Sequence, residues 1–175
     1  MKLLHFLAIA ASPFLLAASA PDRAPHVPIA SFEQLPKPLP LPYDGRANAD
    51  QEVAAAKLRA KRTGKRLLID LGGNWCLDCR LLAGTMELPV LKGWLAQRYE
   101  IVTVDVGRFD RNMQIPAHYG IRSRLKGVPS LLIVDPRTDK LVNTGRIAAL
   151  ADARSLTPQA LADWLAKWSP RRPKG

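Results

Sequence analysis

Cys76 and Cys79 are the only cysteines of the chain, and just two residues separate them. No other feature constrains the fold as much, because side chains three apart share a face on a helix. The residues before them, Leu67-Leu68-Ile69-Asp70-Leu71, form a short apolar run closed by Gly72-Gly73, the pattern of a buried strand. A helix opening at the cysteine motif places Cys76 beside unpaired N–H groups and the positive end of the helix dipole. Both favour thiolate over thiol, so Cys76 is expected to have a lowered pKa and to be the nucleophile. Cys79, one turn inside, is expected to be less exposed and to resolve a mixed disulfide between Cys76 and a substrate.

Two other readings of the pair have to be weighed. Half a zinc site would need further ligands, and apart from His5 the histidines are only His26 and His118. A purely structural bridge over two residues would remove little chain entropy. A redox-active pair fits better than either, with no metal and no cofactor beyond the reversible Cys76–Cys79 disulfide.

The first twenty residues point to export. Lys2 precedes an apolar run from Leu3 to Leu16, and Ala18-Ser19-Ala20 has the small-x-small form of a signal-peptidase site. Residues 1–20 are therefore predicted to be a cleaved signal peptide. The apolar run is short of the roughly 20 residues a membrane span needs. The brevity of the signal suggests a bacterial exported protein and the periplasm, an oxidising space in which a close cysteine pair can bridge. The formal net charge of +11 falls to +10 on cleavage, since only Lys2 is lost. That charge favours acidic partners. The basic residues are dispersed with few aromatics among them, so nucleic acid is not expected as a partner.

Between Pro21 and Tyr43 stand seven prolines in 23 residues. Such a stretch holds neither helix nor central strand. Residues 21–47 are read as an extended linker, either a spacer or an arm lying on the domain. A single domain over 48–169 follows, with a basic tail at 170–175. A helix is predicted from Asn48 to about Arg62, with Asn48 and Gln51 resembling a capping box and Gly64 as its stop. Further helices are predicted from the cysteine motif to Met86, from Pro89, near Pro116–Tyr119, and from Thr157. Strands are predicted at Leu67–Leu71, Ile101–Val106, Ser130–Val134 and Leu141–Arg146. Alternating strands and helices, ending in a hairpin, imply an α/β domain with a mixed sheet.

At this point the chain resembles a known family. Trp75-Cys76-Leu77-Asp78-Cys79 is similar to the WCxxC active site of the thioredoxin superfamily. Asp70, six residues before Cys76, matches the superfamily's buried aspartate. Gly127-Val128-Pro129-Ser130 resembles its cis-proline loop, and Tyr119-Gly120-Ile121-Arg122 the segment leading to it. The likeness covers about residues 48–168 and is nearest to exported thioredoxin-like proteins related to the C-terminal domain of the transmembrane disulfide reductase. It implies a thioredoxin fold and a thiol–disulfide oxidoreductase. It further implies that Asp70 accepts the proton of Cys79, that Pro129 is cis beside the sulfurs, and that Val128 and Trp75 contact an extended substrate. The implied partners are protein disulfides or dithiols and a membrane or periplasmic electron donor, with the protein itself a monomer.

Two departures from the family pattern carry expectations of their own. Leu77-Asp78 separates the cysteines, and a carboxylate facing Cys76 would oppose its thiolate, making the protein a reductant rather than an oxidant; Arg80 would act in the opposite sense. Ser123-Arg124-Leu125-Lys126 is an insertion that sets Arg122, Arg124 and Lys126 beside the proline loop. The rival to an enzyme is a redox-silent binding module that uses the same groove to hold periplasmic partners.

Overall fold

Strand β1 (Arg66–Gly72) runs through the middle of the molecule, and from Leu67 onward it is wholly buried. We describe residues 23–170 of a computed structural model; the expected signal peptide and residues 171–175 of the tail lie outside them. β1 pairs in parallel with β2 (Tyr99–Asp105) and antiparallel with β3 (Ser130–Asp135). A two-residue strand, β4 (Lys140–Leu141), pairs antiparallel with β3, giving a mixed sheet in the order β2-β1-β3-β4.

Each helix starts where its sequence provides a start. Helix α1 (Ala49–Thr63) is capped by the Asn48 side chain, which accepts the Gln51 N–H at 3.1 Å, and it stops at Gly64, whose φ of 70° suits glycine. Helix α2 (Leu77–Met86) takes Cys76 as its N-cap. Helix α3 (Pro89–Ala96) opens on proline. Together α2 and α3 make the crossover that a parallel β1–β2 pair requires. Helix α4 (Gln114–His118) begins two residues before the expected Pro116. Helix α5 (Pro158–Lys167) is capped by Thr157 and buries Leu161 and Leu165.

Strand alternation divides the core in two. Leu67, Ile69 and Leu71 face α1, with Val53 and Ala56, while Leu68 faces the layer of α2, α3 and α5, with Leu82, Leu91 and Leu161. This sandwich is the α/β fold with a mixed central sheet that the sequence implies.

The proline-rich segment is an arm, not a free spacer. Apart from one short 3-10 turn (Phe32–Gln34) it has no regular structure. Yet Val27, Phe32, Leu35, Leu39 and Tyr43 are all buried, each such side chain worth roughly 1.5–3 kcal/mol relative to exposure. Its backbone is held by side chains of the domain instead of a strand ladder. Gln159 bonds to Val27 N–H and Pro25 O, Arg80 donates to Leu39 O and Pro40 O, and Thr103 donates to Pro42 O. A Cβ on Gly84 would stand 3.3 Å from Leu35, so the glycine in α2 gives the arm its seat. The packed unit therefore extends well before residue 48.

One expected strand is largely replaced. The Leu141–Arg146 strand pairs only at Lys140–Leu141, because the buried Asn143 side chain takes over the ladder. It accepts the Ile133 N–H at 3.0 Å and donates to Leu131 O at 2.8 Å. The primary amide does the work of a peptide group, and the chain turns at Gly145.

Candidate active site

The turn Gly73-Asn74-Trp75 carries the chain from β1 into α2 and presents Cys76 as the helix N-cap. Cys76 and Cys79 are joined in a disulfide, with their Cα atoms 5.3 Å apart. The Cys79 N–H points at Cys76 Sγ at 3.1 Å. That donor and the helix N-terminus together would stabilise a thiolate at Cys76. Cys76 is 6% exposed and Cys79 is fully buried. Val128–Pro129 is cis, and the Val128 carbonyl oxygen lies 3.4 Å from Cys76 Sγ. Residues 52 positions apart thus form one cleft wall against the sulfur.

Behind the disulfide the surroundings are dry. Asp70 is 1% exposed in the middle of the sheet, beside Thr103 on β2 and Leu131 on β3. Burial pushes its carboxyl up to about 7, although the Tyr43 hydroxyl acts to lower it. Asp70 and Gly72 share a face of β1. A Cβ on Gly72 would stand 2.5 Å from the Tyr43 hydroxyl oxygen and 2.9 Å from Cys79 Sγ. Any larger residue there would force one of them to shift, and the phenol from the arm and Cys79 Sγ border the same small space.

A model of a thioredoxin-like family matches residues 48–136, half of the chain. The chain belongs to the thioredoxin-like family. Among solved structures it is similar to a disulphide isomerase from Xylella fastidiosa Temecula1, with 37% identity over 74% of this chain and 97% of that one, at a TM-score of 0.66. A Pseudomonas aeruginosa protein of unknown function also matches, at 19% identity over 70% of this chain and 85% of that one, with a TM-score of 0.36. No curated protein sequence matches at a significant level. Family, neighbour and cysteine pair together make this thioredoxin-like protein a thiol–disulfide oxidoreductase.

In front of the disulfide, the thioredoxin-like chain builds an aromatic, basic rim. Trp75 is 43% exposed and donates its indole N–H to Gly107 O at 2.8 Å. The Arg108 guanidinium lies 4.2 Å from the centre of the Trp75 ring, and Phe109 meets the indole edge-on at 6.2 Å. Arg124 from the insertion covers Phe109 at 4.6 Å. Arg108, Arg122, Arg124 and Lys126 form no ion pair among the described residues.

The charges around the motif are engaged by other groups, so the opposition expected from Asp78 is offset by a partner the sequence did not show. The Asp78 carboxylate is buried and gripped by Arg154, through the backbone N–H at 3.0 Å, Nε at 3.0 Å and Nη2 at 2.6 Å. Burial alone would raise its pKa, but the Arg154 bonds and charge hold it below the usual range. Arg80 turns to the arm carbonyls, so it does not offset Asp78 at the sulfur either. Among the described residues no group of three or more His, Cys, Asp or Glu side chains is placed to hold a metal ion. No described helix is long and apolar enough to cross a membrane.

The sites the sequence points to, Cys76, Cys79, Asp70, Trp75, Val128 and Pro129, all lie around this one cleft. Sequence reasoning missed Tyr43, Asn74, Arg108, Phe109 and Arg154. The apolar residues among the prolines were a signal for the arm, and Gly107 with Phe109 after β2 was one for the rim. Arg154 left no signal, being 76 residues from its partner.

Proposed function

We propose that the protein is exported to the periplasm and reduces or exchanges disulfides of protein substrates, acting as a reductant. The observation that carries this is the placement of Cys76 at the helix N-terminus against the cis Val128–Pro129 wall, with Cys79 buried behind it. The Cys76 thiolate attacks one sulfur of a substrate disulfide. A Cys76–substrate bond forms, and the other substrate sulfur leaves as a thiolate. Cys79 then gives its proton to Asp70 and attacks Cys76 Sγ. The Cys76–Cys79 bond forms and the second substrate thiolate leaves. The protein dithiol has lost two electrons and the substrate has gained them. A partner dithiol, in the membrane or the periplasm, returns the pair to its reduced form.

A carboxyl that titrates near neutrality suits the role of Asp70, since it can both accept and return a proton. The reductant direction rests on the thiolate's surroundings. Helix N-terminus and Cys79 N–H stabilise it, while neither Arg80 nor any histidine of the motif adds to them. A less stabilised thiolate means a disulfide that is harder to reduce. Arg108, Arg122, Arg124 and Lys126, which form no ion pair among the described residues, favour acidic segments next to the substrate disulfide.

Equilibration of the Cys76–Cys79 pair against a glutathione series tests the direction. The expected potential lies near the roughly −270 mV of thioredoxin. A value near the roughly −120 mV of a strong periplasmic oxidant overturns it.

A further inference from the structure

We infer that Tyr43, carried by the proline-rich arm, is a positioning residue of the exchange reaction: its hydroxyl donates to the Asp70 carboxylate and so sets when Asp70 can take the proton of Cys79. The inference rests on the reading of Asp70 as proton acceptor given above, and goes beyond it by making the arm part of the active site.

Tyr43 is 2% exposed, and its hydroxyl occupies the space that Gly72 leaves open on the face of β1 shared with Asp70. Cys79 Sγ borders the same space. The tyrosine is held there by the site itself. Asn74, two residues before Cys76, accepts the Tyr43 N–H at 3.1 Å and donates to Tyr43 O at 2.8 Å. Thr103, the β2 neighbour of Asp70, fastens Pro42, and Arg80, next to Cys79, fastens Leu39 and Pro40. Each clamp comes from a residue beside the reacting groups.

Burial, and the charges of Asp70 and Asp105, hold the Tyr43 hydroxyl protonated far above the working pH range, so it acts as a neutral donor. Around Asp70 the arm contributes Tyr43 and α2 contributes Cys79, while β2 and β3 contribute the uncharged Thr103 and Leu131; Asp105, at the end of β2, acts on Tyr43. In the disulfide state both Tyr43 Oη and Asp70 Oδ1 are buried with no aligned hydrogen-bond partner among the described residues. Buried polar groups are rarely left so, and each of these two is near enough to shift the other's proton affinity. Donation stabilises the carboxylate over the acid. Without it, Asp70 would hold its proton to higher pH and would be unable to accept another.

The test titrates the Asp70 side-chain carboxyl by carbon NMR in the oxidised full chain, native and Tyr43→Phe. The midpoint is expected to rise by about one to two pH units, the worth of one hydrogen bond to a charged group. The second thiol release from a fluorescent disulfide peptide, followed by rapid mixing with the reduced protein, should move its pH midpoint by the same amount. Below that midpoint it should slow roughly tenfold for each pH unit by which the midpoint rises, and at high pH it should match the native rate. In an Asp70→Asn background, Tyr43→Phe should add nothing. An unmoved carboxyl midpoint, slowing that is equal at every pH, or an undiminished effect on Asp70→Asn overturns the inference. Should the Phe variant not fold, Asn74→Ala, which keeps the phenol but frees its backbone, decides: its midpoint rises, or the inference fails. A chain that exchanges no disulfide at all refutes the functional reading, while the carboxyl titration still judges Tyr43.

Discussion

The two sides of the Cys76–Cys79 disulfide differ in almost every physical respect. Behind it, Asp70, Tyr43 and Gly72 lie out of contact with water, in a space that a single added methyl would overfill. In front of it, Trp75, Arg108, Phe109 and Arg124 form an open rim of rings with cations stacked on them. Low dielectric amplifies each polar contact on the first side, whereas solvent and salt weaken those on the second. Under the proposed function the contrast implies a division of labour, with proton handling assigned to the dry wall and partner choice to the wet one. Substitutions should separate the two.

The largest effect is expected from Asp70→Asn. It should slow the resolving step by roughly a hundredfold, within the usual range for a lost general base, while initial attack by Cys76 is kept. Stopped-flow release of the two substrate thiols separates the steps. The same variant should change stability. Asp70 is pushed up to about 7 when folded, from an ordinary value of 3.8. Between those values the folded chain keeps a proton that the unfolded chain has lost. Stability therefore falls as pH rises through that window, by up to about 1.4 kcal/mol per pH unit, and levels off above it. Denaturant melts from pH 4 to 8 should show this slope in the native protein and its absence in Asp70→Asn.

Gly72→Ala comes next. The new Cβ would collide with the Tyr43 hydroxyl and crowd Cys79. Overpacking of this kind costs about 1–3 kcal/mol, measurable as a lowered urea midpoint, and it should displace the arm. The same substitution at Gly93, which has nothing within 4 Å, should be harmless or mildly stabilising.

The smallest effect belongs to the rim. Arg108→Glu with Arg124→Glu should slow reduction of a disulfide peptide with acidic flanks several-fold at low salt. The loss should fade by about 0.5 M salt. Reduction of an uncharged small disulfide should not change. Equal slowing of both substrates would place the rim in the chemistry and erase the contrast.

What the sequence made legible follows the same divide between local and distant. Cys76, Cys79 and Asp70 lie within ten residues, and strand and helix periodicity is enough to bring them together. Pro129 became legible only through the family's proline loop. Tyr43 did not, because prolines announce what a segment cannot form and are silent on where it docks. Asp78 reads as an unpaired charge beside the thiolate, since its pairing with Arg154 closes only when the residues around Ala153–Ser155 pack on α2. Asn143 was read as strand because no local pattern tells a side-chain amide that replaces the ladder from a residue within it.

The central claim is that Cys76 attacks and Cys79 resolves. Mass spectrometry of the reduced Cys79→Ser and Cys76→Ser proteins, each mixed with the same disulfide peptide, tests it most directly. Cys79→Ser should accumulate a mixed disulfide at Cys76 and release one thiol, whereas Cys76→Ser should form none and reduce nothing. Exchange that persists in Cys76→Ser contradicts the account.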